Sequence, residues 1–247
     1  MIVLIDIGNS RIKAGLLRGK SIHRLKPCEW RKVPPPSAWA AVLSGVAKPQ
    51  GVYVSNVAGN AIATALNAWV REHWDLAPQF VTVRRDCAGV RTQYDRPAQL
   101  GIDRWLAAIA GFHLAKGPAC VIDAGTALTV DVVTAAGLHV GGMIVPGLGL
   151  MAKSLTQGTA QLALDEVQSI NDFATNTAGA ISFGCREAVA GLIARTAERW
   201  RDSLNEQPAW YVTGGEADAI VEVSPVPLVK VADLVLQGIA IVEDLLP

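Results

Sequence analysis

The chain has 247 residues and a mass of 26.1 kDa, room for one large domain or two small ones. Hydrophobic residues make up 51% and charged residues 18%, which excludes a disordered chain. The 22 basic and 22 acidic residues cancel, so no global charge draws the chain to nucleic acid or acidic lipid. Cys28, Cys87, Cys120 and Cys185, like the four histidines, are scattered without the spacing of a zinc site or a disulfide framework, and read as reduced thiols. The glycine-rich apolar run Val140 to Ala152 is interrupted by Pro146 and is shorter than the roughly 20 residues a membrane span needs. The first residues meet Asp6 at once, with no basic leader region, so the expected location is the cytoplasm.

Ile2 to Ile7 is a β-branched apolar run that enters the turn Asp6-Ile7-Gly8-Asn9-Ser10, the pattern of a buried strand. Arg11 to Leu17 and Ser21 to Leu25 follow as hairpin strands around Arg18-Gly19-Lys20. Val33 to Ser37, with three successive prolines, reads as a surface loop. Gly51 to Val57 is a strand. Asn60 is placed to cap a helix to about Trp74, with Ile62, Leu66, Trp69 and Val70 on one face. Phe80 to Val83 is a short strand. Pro97 opens a helix whose face carries Leu100, Trp105, Leu106, Ile109 and Phe112, ended by Gly117-Pro118. Ala119 to Ile122, Leu128 to Val133 and His139 to Val145 are strands, and Pro146 to Gly149 turns into a helix. Ala178 to Arg201 is a long helix, Trp210 to Thr213 and Leu228 to Val231 are strands, and Val235 to Leu246 is a closing helix.

Asp6-Ile7-Gly8-Asn9 and Asp123-Ala124-Gly125-Thr126 echo each other about half a chain apart. Each follows a buried strand and precedes an alternating one. A duplicated unit fits this, since solenoid repeats have much shorter periods. Glycine at such a turn lets the backbone approach a phosphate, a neighbouring hydroxyl or amide adds a donor, and the aspartate is a hard oxygen ligand suited to Mg²⁺. One such turn is weak evidence, because Asp-Gly turns are common in hairpins; a matched pair would grip a nucleotide triphosphate from two sides. Neither the P-loop nor the G-x-G-x-x-G pattern occurs. Asp103-Arg104 early on a helix suits an orienting base beside a guanidinium for an acidic substrate, although the local pattern by itself is better suited to a dipolar first turn with a surface ion pair. Taken alone, Asp123 fits an ordinary turn residue, Tyr94 a half-buried loop tyrosine and Thr177 a helix cap. Asp131 faces either a cleft or solvent. Trp105 suits core or a dimer surface, and Arg84-Arg85 is too small a basic pair to argue for DNA.

Five segments together carry a resemblance. Asp6-Ile-Gly-Asn-Ser-Arg-Ile-Lys13, Tyr94 to Arg104, Asp123-Ala-Gly-Thr-Ala-Leu-Thr129, Gly141-Gly-Met-Ile-Val-Pro-Gly147 and Asn176-Thr-Ala-Gly-Ala180 resemble type III pantothenate kinases, in the family's order. The Leu-Gly-x-Asp-Arg segment, Leu100 to Arg104, separates that family from its superfamily relatives. The resemblance implies an α/β fold of two duplicated ribonuclease-H-like (actin-like ATPase) halves, residues 1–115 and 116–247, with the active site in the cleft between them. It implies ATP-dependent phosphorylation of pantothenate to 4′-phosphopantothenate, the first step toward coenzyme A. It also implies a homodimer, Mg²⁺, and a monovalent cation, K⁺ or NH₄⁺.

Mapped by this resemblance, Asp6, Ile7, Gly8, Asn9, Ser10, Arg11, Ile12 and Lys13 form the first phosphate loop, with Asp6 organising Mg²⁺. Thr126 is a donor to ATP phosphate and Asp123 the monovalent-cation ligand. Gly101, Ile102, Asp103 and Arg104 form the pantothenate segment, with Asp103 the base, and Tyr94 and Thr177 add pantothenate contacts. Thr213-Gly214-Gly215 resembles the adenosine-side turn. Ser10 stands where threonine is usual, and Thr92 where asparagine is more typical after Arg91. Two alternatives remain at this point: a nucleotide-binding regulatory or accessory protein of the same fold, and a related small-molecule kinase.

Overall fold

The computed structural model describes residues 1–32, 35–157, 173–204 and 207–246. The chain divides into two compact units. The first is Met1–Leu114 together with Asp233–Pro247, and the second is Ala115–Ala232. The closing residues 233–247 therefore pack with the first unit, whereas the sequence reading assigned them to a half running from 116 to the end.

In the first unit β1 (Ile2–Ile7) pairs antiparallel with β2 (Ile12–Arg18), which pairs antiparallel with β3 (Ser21–Arg24). A 3₁₀ turn at Trp30–Lys32 leads towards α1 (Pro35–Leu43). Next, β4 (Val52–Asn56) pairs parallel to β1, α2 (Asn60–Trp74) follows, and β5 (Gln79–Phe80) lies parallel to β4. The sheet order is β3-β2-β1-β4-β5. One face is a closed apolar layer in which Val3, Ile5, Ile7, Val52 and Val54 meet Trp39, Leu43, Ile62, Leu66 and Val70. A hairpin of β6 (Asp86–Cys87) and β7 (Val90–Thr92), a 3₁₀ turn at Pro97–Gln99 and α3 (Ile102–Ala115) complete the N-terminal part.

The second unit opens with β8 (Ala119–Ala124), β9 (Ala127–Val133) and β10 (Leu138–Pro146), an antiparallel meander, then α4 (Leu148–Gln157) and α5 (Thr177–Leu204). β11 (Ala209–Thr213) pairs parallel to β8, and α6 (Ala217–Val223) leads to β12 (Val229–Lys230), parallel to β11. The order β12-β11-β8-β9-β10 reproduces that of the first unit read from β5 to β3. Its core joins Cys120, Ile122, Leu128 and Val130 to Val189 and Ile193 of α5 and Ile220 of α6. The chain then returns as α7 (Leu234–Val242), an almost wholly buried apolar helix that packs on β1 and β4. That packing is why the C-terminus belongs to the first unit.

Several local expectations change. The proline run is not a loop to Ser37: Val33 and Pro34 lie outside the described residues, and Pro35 already begins α1. Proline is tolerated in a first helical turn, where its missing N–H has no helical partner to lose. Asn60 is the first residue of α2 and Gly59 its cap, so no side chain caps that helix. The segment from Pro97 makes one 3₁₀ turn, breaks at extended Leu100, and resumes at Ile102. Its face holds, with Leu100, Trp105, Leu106 and Ile109 buried and Phe112 half-buried. Of Phe80 to Val83 only Phe80 is in a strand. The hairpin β6–β7 and helix α6 were not expected.

Helices α7 and α3 meet with no side chain between them at one point. A Cβ at Gly238 would lie 2.2 Å from the Leu106 carbonyl oxygen. Gly238→Ala must therefore push the two helices apart, at a cost of about 1–3 kcal/mol. Gly191→Ala, where a Cβ meets nothing within 4 Å on α5, gains helix propensity of up to about 1 kcal/mol. Thermal unfolding should show the first variant melting below wild type and the second at or above it.

Candidate active site

In the first unit the Asp-Ile-Gly-Asn-Ser turn sits at the C-terminal end of β1, the edge of a sheet where open α/β folds place their ligands. Asp6 is 5% exposed. Its register partners are Lys13 on β2 and Ser55 on β4, so the three lie in one row on the sheet face opposite the Val3-Ile5-Ile7 layer. Ser55 is fully buried, and its Oγ has no hydrogen-bond partner among the described residues. The turn closes on itself through the Gly8 N–H, which donates to the Arg11 carbonyl at 3.0 Å. Two side chains of the Trp30–Lys32 turn hold its carbonyls from outside. Trp30 Nε1 donates to Gly8 O at 2.9 Å, and Arg31 Nε donates to Asn9 O. Arg11 pairs with Glu29 at 3.2 Å, and Glu29 also pairs with Lys32. Hydrogen bonds from Lys32 and Arg11 hold the Glu29 carboxyl below its ordinary value. Ile7 and Ile12 flank the turn as buried core, so their side chains anchor it while Asn9 and Arg11 are exposed.

The Gly101–Arg104 segment lies at the start of α3. Asp103 is in the first helical turn, where a carboxylate suits the positive end of the helix. Its Oδ1 accepts the Arg104 N–H at 2.8 Å. A Cβ at Gly101 would lie 2.6 Å from that same oxygen, so only glycine leaves the carboxylate its place. Arg104 is 7% exposed, and its Nη1 donates to the Tyr94 hydroxyl at 3.0 Å. The structure thus brings Tyr94, Gly101, Asp103 and Arg104 together, and Arg104 is a buried guanidinium rather than half of a surface ion pair. Ile102 is buried and anchors the turn.

In the second unit three turns converge on backbone contacts. The Gly125 N–H donates to Ala127 O at 3.1 Å and the Gly147 N–H to Thr126 O at 2.9 Å. A Cβ at Gly147 would lie 2.1 Å from Gly125 O. At Gly214, whose φ is +97°, a Cβ would lie 2.3 Å from Ala124 O and 2.6 Å from Asp123 Oδ1. No residue but glycine fits either place. Thr126 is exposed at the head of this knot and Asp123 is half-buried beside it. Glu216, which the sequence reading passed over, ties the turns together. Its N–H donates to Ala124 O at 2.9 Å, while its carboxylate accepts the Leu148 N–H at 2.9 Å and the Gly149 N–H at 3.1 Å.

Thr177 is exposed at the start of α5, and the cap is Asn176, whose Oδ1 accepts the Gly179 N–H at 2.8 Å. Asp131 does not face solvent: it is buried against His139, 2.8 Å away. The four cysteines are unbridged. Burial pushes the Cys120 thiol well up, with the Asp131 charge adding to it, and burial also raises Cys87 and Cys185. These three are therefore poor nucleophiles at neutral pH.

Among the described residues no three His, Cys, Asp or Glu side chains gather as a metal cage. Asp6 and Asp123 nevertheless offer hard oxygens. At Asp123 the missing Cβ of Gly214 keeps the carboxylate oxygen uncrowded. One carboxylate completed by phosphate oxygens and water is how Mg²⁺ is commonly held, so the donor set fits the cations the resemblance implies.

A family model described as type III pantothenate kinase matches residues 2–199. Type III pantothenate kinases of Aromatoleum aromaticum and Nitrosococcus oceani are 39% and 36% identical, over 98% and 97% of this chain and 97% and 92% of theirs. The chain belongs to the type III pantothenate kinase family. Solved structures place it in the actin-like ATPase and sugar kinase fold. A Baf family protein of Campylobacter jejuni has TM-score 0.60 at 22% identity, covering 98% of each chain. Component A of (R)-2-hydroxyglutaryl-CoA dehydratase of Acidaminococcus fermentans has TM-score 0.54 at 13% identity, over 98% of this chain and 95% of that one. At such identities the likeness concerns fold alone. Membership of the kinase family accounts for the order of the five motifs along the chain. No described helix is long and apolar enough to cross a membrane.

Tyr94→Phe removes an acceptor from the Arg104 guanidinium while leaving the ring. Urea unfolding should show a loss of about 1–2 kcal/mol. An unchanged midpoint would mean that the contact adds nothing to the fold.

Proposed function

We propose that this chain, as a type III pantothenate kinase, transfers the γ-phosphoryl group of ATP to the primary hydroxyl of pantothenate, giving 4′-phosphopantothenate for coenzyme A synthesis. The observation that carries the residue-level reading is the first turn of α3, where a carboxylate and a buried guanidinium stand on adjacent residues. Phosphoryl transfer needs positioning and charge neutralisation more than covalent help. In this reading Arg104, steadied by Tyr94, pairs with the substrate carboxylate, for which a planar fork of donors is well shaped. Asp103 orients the attacking hydroxyl and takes its proton as the oxygen approaches the γ-phosphorus in line. A carboxylate has about four acceptor sites, so the amide bond to Oδ1 leaves capacity for that proton.

The Asp6 to Lys13 turn and Thr126 supply donors to the ATP phosphates, and Thr213-Gly214-Gly215 serves the adenosine side. Asp6 would hold Mg²⁺ and Asp123 the monovalent cation, K⁺ or NH₄⁺; when bound, these cations neutralise phosphate charge. Thr177 adds a pantothenate contact. A cytoplasmic homodimer that takes neither membrane nor nucleic acid as partner completes the proposal, supported by the balanced charge and the family's habit.

The test is ADP release by the purified protein with ATP, Mg²⁺ and pantothenate, with and without K⁺ or NH₄⁺, beside Asp103→Asn. Turnover should require pantothenate and the cation. Asp103→Asn should lower kcat by about 10²–10⁴-fold without unfolding the protein. An equally active variant would remove Asp103 as the base. A folded wild type that binds ATP without turning over pantothenate would favour the regulatory reading.

A further inference from the structure

Glu216 stands at the head of α6, yet its side chain caps nothing in that helix. Its two carboxylate oxygens instead take the Leu148 and Gly149 amides, which open α4. A helix N-terminus presents unpaired amides and partial positive charge, the arrangement that proteins use for phosphate. In this chain an internal carboxylate already fills it.

The same residue is fixed at its other end by the bond from its N–H to Ala124 O, beside the Gly125-Thr126 turn. The amide of Gly147, one residue before α4, donates to Thr126 O. Glu216 therefore joins β11–α6 to β10–α4, and β10–α4 holds the turn that carries Thr126. A Cβ at Gly147 or Gly149 would stand 3.1 Å from a Glu216 oxygen, so the strand-to-helix turn is built around the carboxylate.

We infer that Glu216 is a positioning residue for the nucleotide: by tying the β10–α4 and β11–α6 turns together it fixes Thr126 for the ATP phosphates. The inference rests on the kinase reading above. Loss of the carboxylate would loosen the Thr126 turn. The nucleotide then suffers, while the pantothenate segment on α3 keeps all its own contacts. Glutamine is the informative intermediate. Its amide keeps one acceptor oxygen but turns an NH₂ donor toward the second backbone amide, so one of the two bonds is lost.

The experiment compares wild type, Glu216→Ala and Glu216→Gln by steady-state kinetics, direct ATP binding by calorimetry, and thermal unfolding. Glu216→Ala should raise the KM and Kd for ATP by about tenfold or more and leave the pantothenate KM within about twofold, with Glu216→Gln between the two. A purely structural role predicts a lower melting temperature with both KM values unchanged, and that result would overturn the inference. If Glu216→Ala does not fold, Glu216→Gln and Gly149→Ala, which crowds Oε1, give the same comparison. If wild type binds ATP but does not turn over pantothenate, the kinase reading fails while the ATP affinities still decide the role of Glu216. A wild type that binds no ATP overturns both.

Discussion

In the second unit three chain turns approach more closely than any side chain allows. The peptide of Gly147 lies against the carbonyl of Gly125, and that of Gly214 against the carbonyl of Ala124 and the carboxylate of Asp123. A single added methyl at either place would overlap backbone atoms that cannot swing aside, unlike the tip of a flexible side chain. The β8–β9, β10–α4 and β11–α6 turns thereby act as one piece, and Thr126 and Asp123 inherit their positions from it. Glu216 stitches the same piece together with hydrogen bonds rather than contact. Sterics and charge-assisted bonding thus hold the same short stretch of chain, which suits chemistry that depends on placement.

The first unit repeats the strand order but solves the turn problem differently. Its turn is steadied by the indole of Trp30 and the guanidinium of Arg31, which reach in from a neighbouring 3₁₀ turn to hold Gly8 and Asn9 carbonyls. Its acid, Asp6, stands in a row with Lys13 and Ser55 across three strands. Two copies of one architecture have therefore diverged in what supports their turns. Asp103 and Arg104 sit in the first turn of α3 rather than at a strand-to-strand turn. On the proposed reading the matched turns serve the phosphates and the separate segment serves the acceptor.

Much of this was legible in the sequence because the strongest signals are local. β1, β8 and β11 are apolar runs broken only near their ends by Asp6, Asp123 and Thr213, and such runs are readable once a glycine turn closes them. The two Asp-x-Gly turns announced the repeat, and Asp103-Arg104 announced an acid beside a cation. What escaped depends on partners distant in sequence. Helix α6 spans seven residues, too few to show a period, and β6–β7 is a hairpin with strands of two and three residues. The C-terminal helix reads as the end of the second half, yet its apolar surface packs on β1 and β4. Asn60 has the right chemistry for a cap but stands one residue too late, and Asn176 performs the capping that Thr177 taken alone would suit. Glu216 follows two glycines and looks like an ordinary turn acid; only the placement of α4 beside it reveals the two amides it accepts.

If the second-unit turns hold ATP as proposed, glycine at their contacts is required for nucleotide binding. Calorimetric titration of ATP·Mg²⁺ into Gly147→Ala and Gly214→Ala tests it most directly, beside Gly184→Ala, where a Cβ meets nothing within 4 Å. The two turn variants should lose ATP binding by at least about tenfold, whereas Gly184→Ala should bind as wild type does. A folded Gly147→Ala that binds ATP with wild-type affinity would contradict it.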